Sequence, residues 1–346
     1  MNRKFRSAAT AVVLLGAALA AVPPTAEAAT SVTYDPVQIW GPRAGARTPP
    51  SGAPDHNVLQ LKSVSLSMAA GQTAYVVSVM IANGATETSL FDNEVRCSLP
   101  DGTSKNMVIG ENVYKSGSGH PDWEQRALTT RFLVQAPTAG TVTCTGYARV
   151  ASQSLLDTTV QLASGSLAFA DSSVDNDIAG KPIQASVPNG LVKVDATTPT
   201  ARVPAIDLFE VAPGFDGLSV FGDTEFMVCH SKTCGQTQTT ATFRLYVNQW
   251  KEDGVTPCRP TVASEPLTKT MSYWVHHHYI PLHLPNVTVE TANGCAPKFN
   301  AYVKVDWVSG ETGAVQGVAT PLEDSRGSTT THSSDMSHAY VVPYHL

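Results

Sequence analysis

The stretch Gln72-Thr-Ala-Tyr-Val-Val-Ser-Val-Met-Ile-Ala-Asn83 decides the fold class. Tyr75, Val77, Val79 and Ile81 fall on one parity of it. β-Branched and aromatic residues at period two fit a pleated strand and not a helix. The alternation recurs outward from there. Leu59 and Leu61 flank Gln60, and Val64, Leu66 and Met68 alternate with serines on the opposite parity. The parity changes at Lys62-Ser63, which predicts a β-bulge or a break between two strands. Thr130, Phe132 and Val134 continue the pattern, as do Val142, Cys144 and Gly146. In the C-terminal half Phe243, Leu245 and Val247 alternate with Arg244, Tyr246 and Asn248, and Val303, Val305 and Trp307 alternate with Lys304 and Asp306. Pro100-Asp101-Gly102, Asp253-Gly254, Asn293-Gly294 and Ser309-Gly310 supply turns between such runs. The chain is therefore expected to be all-β, in antiparallel β-sandwiches.

The N-terminus follows a different rule. Arg3, Lys4 and Arg6 precede an apolar run from Ala8 to Val22, and Pro23-Pro24 and Ala26-Glu-Ala28 follow. A basic start, a short apolar middle and an A-x-A end make a bacterial-type export signal over residues 1–28, with cleavage fitting best after Ala28, and after Ala29 as the alternative. The apolar run is shorter than the roughly 20 residues of a spanning helix, and no later segment is long enough. The expectation is a secreted, extracellular protein with no membrane insertion.

The full chain carries 23 Lys and Arg against 29 Asp and Glu, a net charge of −6. No long basic run occurs, which argues against nucleic acid as a partner.

Six cysteines, Cys97, Cys144, Cys229, Cys234, Cys258 and Cys295, all follow the signal. An even number in an exported chain predicts disulfides, with fifteen pairings formally open. Order along the chain suggests Cys97–Cys144, Cys229–Cys234 and Cys258–Cys295. About 318 mature residues favour two domains. The expected division is a first sandwich over 29–170 with a Pro- and Gly-rich loop at 41–54, a linker over 171–204, and a second sandwich over 205–346. The run Arg131-Phe-Leu-Val-Gln-Ala-Pro-Thr-Ala-Gly-Thr-Val-Thr-Cys144 resembles the strand–turn–strand leading into the second cysteine of immunoglobulin-like domains. The resemblance implies a sandwich with Cys97 on an opposing strand, and no function.

Candidate chemistry is sparse. In Met271-Ser-Tyr-Trp-Val-His-His-His-Tyr-Ile280, His276 and His278 share one strand face, about 7 Å apart. With a third ligand from His283, His230, Asp306, His332 or His338, among which no spacing selects, they would suit zinc or copper. Asp171, Asp175 and Asp177 resemble the start of a calcium loop, although Ala179 and Ser186 stand where oxygen ligands belong. Asp223 and Glu225 fall on one strand face, as glycosidase carboxylates sometimes do. Trp274 and Tyr279 are candidates for a ligand-contacting surface. Trp250, Trp307, Tyr246, Tyr273 and Tyr302 make the second half aromatic, and aromatic faces suit sugar rings. No G-x-S-x-G, H-E-x-x-H, P-loop or dinucleotide fingerprint occurs. These observations favour a non-enzymatic binding protein that recognises a cell-wall glycan or a cell-surface protein. The alternatives are a zinc- or copper-dependent enzyme using His276 and His278, and a structural coat or matrix component.

Overall fold

The computed structural model describes residues 30–42, 58–174, 177–178, 181–187, 190–228, 238–273, 275–317 and 335–345, with backbone alone at 171–174, 177–178 and 181. The expected signal peptide, most of the 41–54 loop, Asp175, Cys229, His230, Cys234, Trp274 and His332 lie outside the described residues.

The first unit runs through β1 (Ser31–Tyr34), β2 (Val37–Gly41), β3 (Val58–Met68), β4 (Thr73–Asn83) and β5 (Ser89–Ser98). It continues with β6 (Ser104–Val113), a one-turn helix α1 (Pro121–Glu124), β7 (Arg126–Gln135), β8 (Gly140–Ser152) and β9 (Thr158–Val174). One antiparallel sheet has the order β1-β9-β4-β7, with β2 also on β9, and the other has the order β3-β8-β5-β6. Period two sorts β4 as expected. Ala74, Val76, Met80 and Ala82 enter the core, while Tyr75, Val77, Val79 and Ile81 form the outer, half-buried side. The parity change at Lys62-Ser63 is a register shift, because pairing of β3 with β8 slips between Gln60 and Ser63.

The second unit contains β10 (Asp177–Ile178), β11 (Lys181–Pro182), β12 (Gln184–Ser186), β13 (Leu191–Val194), β14 (Thr200–Glu210), β15 (Gly217–Val228) and β16 (Gln238–Lys251). After these come β17 (Val262–Ala263), β18 (Leu267–Ser272), β19 (His277–Thr288), β20 (Cys295–Gly310), β21 (Gly313–Gln316) and β22 (His338–Tyr344). One sheet has the order β12-β22-β15-β21-β13, with β19 along the other side of β15, and the second has the order β14-β20-β16-β17, with β18 also on β16. Phe226, Phe243, Leu245, Phe299, Val303 and Val305 fill the space between them. The protein is thus all-β, built of antiparallel sandwiches, and no helix among the described residues is long and apolar enough to cross a membrane.

Two expectations change. Residues 184–204 are not a bare linker, because β12, β13 and the start of β14 pair into the second unit's sheets. Their Pro- and Thr-rich composition conceals Ile183, Val187, Val194 and Ala201, which are buried in the second core. The Cys97–Cys144 bond forms, but its cysteines face each other on β5 and β8 of one sheet. The immunoglobulin bond joins two sheets instead, so the resemblance extends to the sandwich and not to the position of its staple. Cys258–Cys295 also forms.

Candidate functional site

The structure does not bring His276, His278 and His283 together among the described residues. His277 opens β19, and His276 precedes it. Along β19 the period of two puts His278 with Ile280 and Leu282, whereas His283 shares the opposite face with His277 and Tyr279. His283 stacks on Phe221 at 4.2 Å between centroids, and its Nε2 lies 2.8 Å from Ser219 Oγ. Burial pushes the His278 imidazole down to about 3, so it is neutral. Among the described residues no three His, Cys, Asp or Glu side chains are grouped to hold a metal ion. Of the calcium candidates, Asp171 lies on β9 opposite Tyr75 and Asp177 on β10 opposite Pro182.

Tyr279 presents no surface to a ligand. It is buried against the first unit's core, and its hydroxyl donates to Asp223 Oδ1 at 2.9 Å. It belongs to a polar junction between the units. β6 and β7 are edge strands of the first unit's two sheets, and β19 is an edge strand of the second. Edge N–H and C=O groups need partners when buried, and one backbone carbonyl and several side chains supply them here. Val108 N–H donates to Asp335 O, His277 N–H to Asn112 Oδ1, and Gly110 N–H to Glu225 Oε2 at 2.8 Å. Gln184 takes both Leu133 N–H and Leu133 C=O, at 3.2 and 3.1 Å.

Both carboxylates of the suggested Asp223/Glu225 pair are fully buried in this junction and engaged by it. Arg131 grips Asp223 with two bonds of 2.8 and 3.0 Å, and its guanidinium lies 4.6 Å over the Phe221 ring. Burial works against the Arg131 charge, but Asp223 outweighs it and raises the guanidinium pKa. Glu225 Oε1 meets His277 Nδ1 at 2.8 Å. The pair does share a face, as period two implies, but that face is turned to the first unit.

Gly110 is required at its position. A Cβ there would run into Asp92 Oδ1 and lie 3.2 Å from Glu225 Oε2. Gly110→Ala is expected to lower stability by about 1–3 kcal/mol through this overpacking, measured by urea unfolding; an unchanged midpoint would show that the carboxylates move aside freely.

The candidate binding face is the outer side of the β14-β20-β16-β18 sheet. β16 turns Phe243, Leu245 and Val247 inward and leaves Thr242, Arg244, Tyr246, Asn248 and Trp250 half-buried outside. β20 does the same with Asn300, Tyr302, Lys304 and Asp306. In-register pairing matches Tyr246 with Tyr302, Asn248 with Asn300 and Arg244 with Lys304. The two tyrosine rings stack on each other at 5.4 Å and 11°. Arg202 lies 5.0 Å over Tyr302, and Arg244 lies 5.4 Å over Tyr246. The ring faces are therefore occupied within the protein, and the aromatic platform expected from composition becomes a ridge of hydroxyls and guanidiniums. Asn248 and Asn300 are bonded at 3.0 Å, and the pairs Thr240–Thr270 and Thr242–Thr268 at 2.9 and 2.8 Å. Composition revealed the aromatics, but only register shows which of them share a level.

No family model matches the chain, and no curated protein matches it. Among solved structures it is similar to the N-terminal CBM22-1-CBM22-2 tandem domain from Paenibacillus barcinonensis Xyn10C, at 10% identity and a TM-score of 0.25 over 93% of this chain and 100% of that one. It is also similar to the insecticidal delta-endotoxin Cry8Ea1 from Bacillus thuringiensis, at 9% identity and a TM-score of 0.22 over 75% of this chain and 43% of that one. With TM-scores this low, neither likeness says anything about function.

Proposed function

We propose that this is a secreted, non-enzymatic binding protein that recognises a glycan through the outer face of β14, β20, β16 and β18. The observation that carries the reading is the in-register ladder of hydroxyl, amide and cationic side chains along β16 and β20. Sugar rings offer many hydroxyls at fixed spacing, and a rigid sheet holding donors and acceptors at fixed cross-strand intervals matches them with little ordering cost. The stacked tyrosines and the bonded asparagines hold their neighbours in place. Trp250, half-buried at the end of the face opposite Lys298, is the aromatic best placed to take a sugar ring. The Cys97–Cys144 and Cys258–Cys295 disulfides support action in an oxidising, extracellular setting.

The mature protein is expected to be retained on glycan arrays or on isolated cell walls. Trp250→Ala and Tyr302→Ala should each weaken that retention about tenfold, the size of a binding hot spot. Retention on neither support would end the glycan reading.

A further inference from the structure

We infer that the glycan is anionic, bearing carboxylate, phosphate or sulfate groups that sit on the row formed by Arg244, Lys304 and Arg202. This rests on the glycan reading above and narrows it. Register sets Lys304 directly opposite Arg244 on one side and Arg202 on the other. Directly opposed cross-strand residues have Cβ atoms about 4.5–5.5 Å apart, and like charges at that spacing destabilise a sheet. Three cations in line across three strands therefore work against the fold, in a chain whose net charge is −6.

Among the described residues one carboxylate meets the row. Asp306 Oδ2 lies 2.9 Å from Lys304 Nζ, and its Oδ1 also accepts from Thr200. Arg244 Nε donates to Ser264 C=O, and the guanidiniums of Arg244 and Arg202 rest on tyrosine rings. Stacked guanidiniums are held ready for bidentate bonds to a carboxylate, phosphate or sulfate. One and two levels along the strands stand the Tyr246–Tyr302 and Asn248–Asn300 pairs, neutral and rich in hydrogen-bonding groups. A charged level beside neutral polar levels matches a polymer that carries an acid group among hydroxyls. An extended acidic peptide fits less well, because such peptides add to a sheet edge. β20 is flanked on both sides by β14 and β16 and offers no edge.

The test is calorimetric titration of the full mature protein with polygalacturonate, a phosphodiester-linked wall glycopolymer and dextran sulfate, beside neutral dextran, neutral xylan and polyglutamate. The three anionic arms separate carboxylate, phosphate and sulfate as the recognised group. At least one is expected to bind, more weakly as salt rises. The Arg202→Gln/Arg244→Gln double variant should lose at least about tenfold in affinity, while its thermal midpoint holds or rises as like-charge repulsion is relieved. If that variant fails to fold, Lys304→Gln provides the same comparison. Equal binding of neutral glycans, unaffected by these variants, would overturn the anionic inference and leave the glycan reading intact. Binding of no glycan would overturn both. Polyglutamate binding as tight as the best glycan would assign the row to an acidic polypeptide and overturn the inference.

Discussion

Asp223→Ala is expected to lower the stability of the protein by about 3–5 kcal/mol, the usual cost of removing one partner from a buried ion pair. Asp223 is fully buried between the two units, where Arg131 bonds it twice and Tyr279 once. His338 Nε2 stands 3.7 Å away and contacts Arg131 C=O at 2.6 Å. Without the carboxylate the Arg131 charge stays in the junction with no counter-charge on this group, and the Tyr279 hydroxyl loses its acceptor. Urea unfolding should shift to lower midpoint and separate into two steps, one for each sandwich. The double variant Arg131→Met/Asp223→Leu is the control. It removes both charges and keeps an apolar side chain near Phe221, so it should cost much less than Asp223→Ala alone. A single-variant loss below about 1 kcal/mol would place the junction's strength elsewhere, for instance in the Tyr75–Tyr340–Phe221 aromatic group.

The strands were legible in the sequence wherever one face is apolar and the other polar. Phe243, Leu245 and Val247 declare themselves because Arg244, Tyr246 and Asn248 alternate with them. The alternation fails where both faces are buried. β5 is buried at nearly every position, including Asp92, Asn93 and Glu94. Its sequence therefore resembles neither a core strand nor a surface one. The junction was hidden for the same reason. A buried carboxylate such as Asp223 or Glu225 reads as an exposed or catalytic one until the partner strand, distant in sequence, is placed beside it. Arg131 and Asp223 lie 92 residues apart, and no local pattern links them. The histidine run stood out by composition, but its geometry depends on where β19 begins, which one residue of offset decides. The proposed binding face lies between these cases. Its residues were visible, whereas the alignment of Arg202, Lys304 and Arg244 required the register of three strands.

That junction also carries a titrating group, which yields the second large effect. Glu111 on β6 is largely buried where the first unit meets β19, with its side chain 12% exposed, and desolvation raises its carboxyl to about 7. Arg126, Lys269 and the Tyr279 N–H pull it down without cancelling the rise, and Glu225 adds to it. A carboxyl raised in the folded state from 4.5 contributes stability that is fully present below about 4.5 and is lost as pH climbs through about 7. The shift corresponds to about 3 kcal/mol across that window. His278, nearby on β19, acts in the opposite sense. Its pKa falls from 6.5 to about 3, so its contribution is present above 6.5 and is lost as pH falls toward 3. The two trends overlap in the wild type, and Glu111→Gln separates them. Glutamine reproduces the protonated carboxyl and keeps an acceptor for Tyr279. The variant should match the wild type near pH 4.5 and exceed it by up to about 3 kcal/mol near pH 8, measured as the difference between their unfolding free energies at each pH. A difference that stays constant from pH 4.5 to pH 8 would show that Glu111 is ionised throughout, with Arg126 as its effective partner.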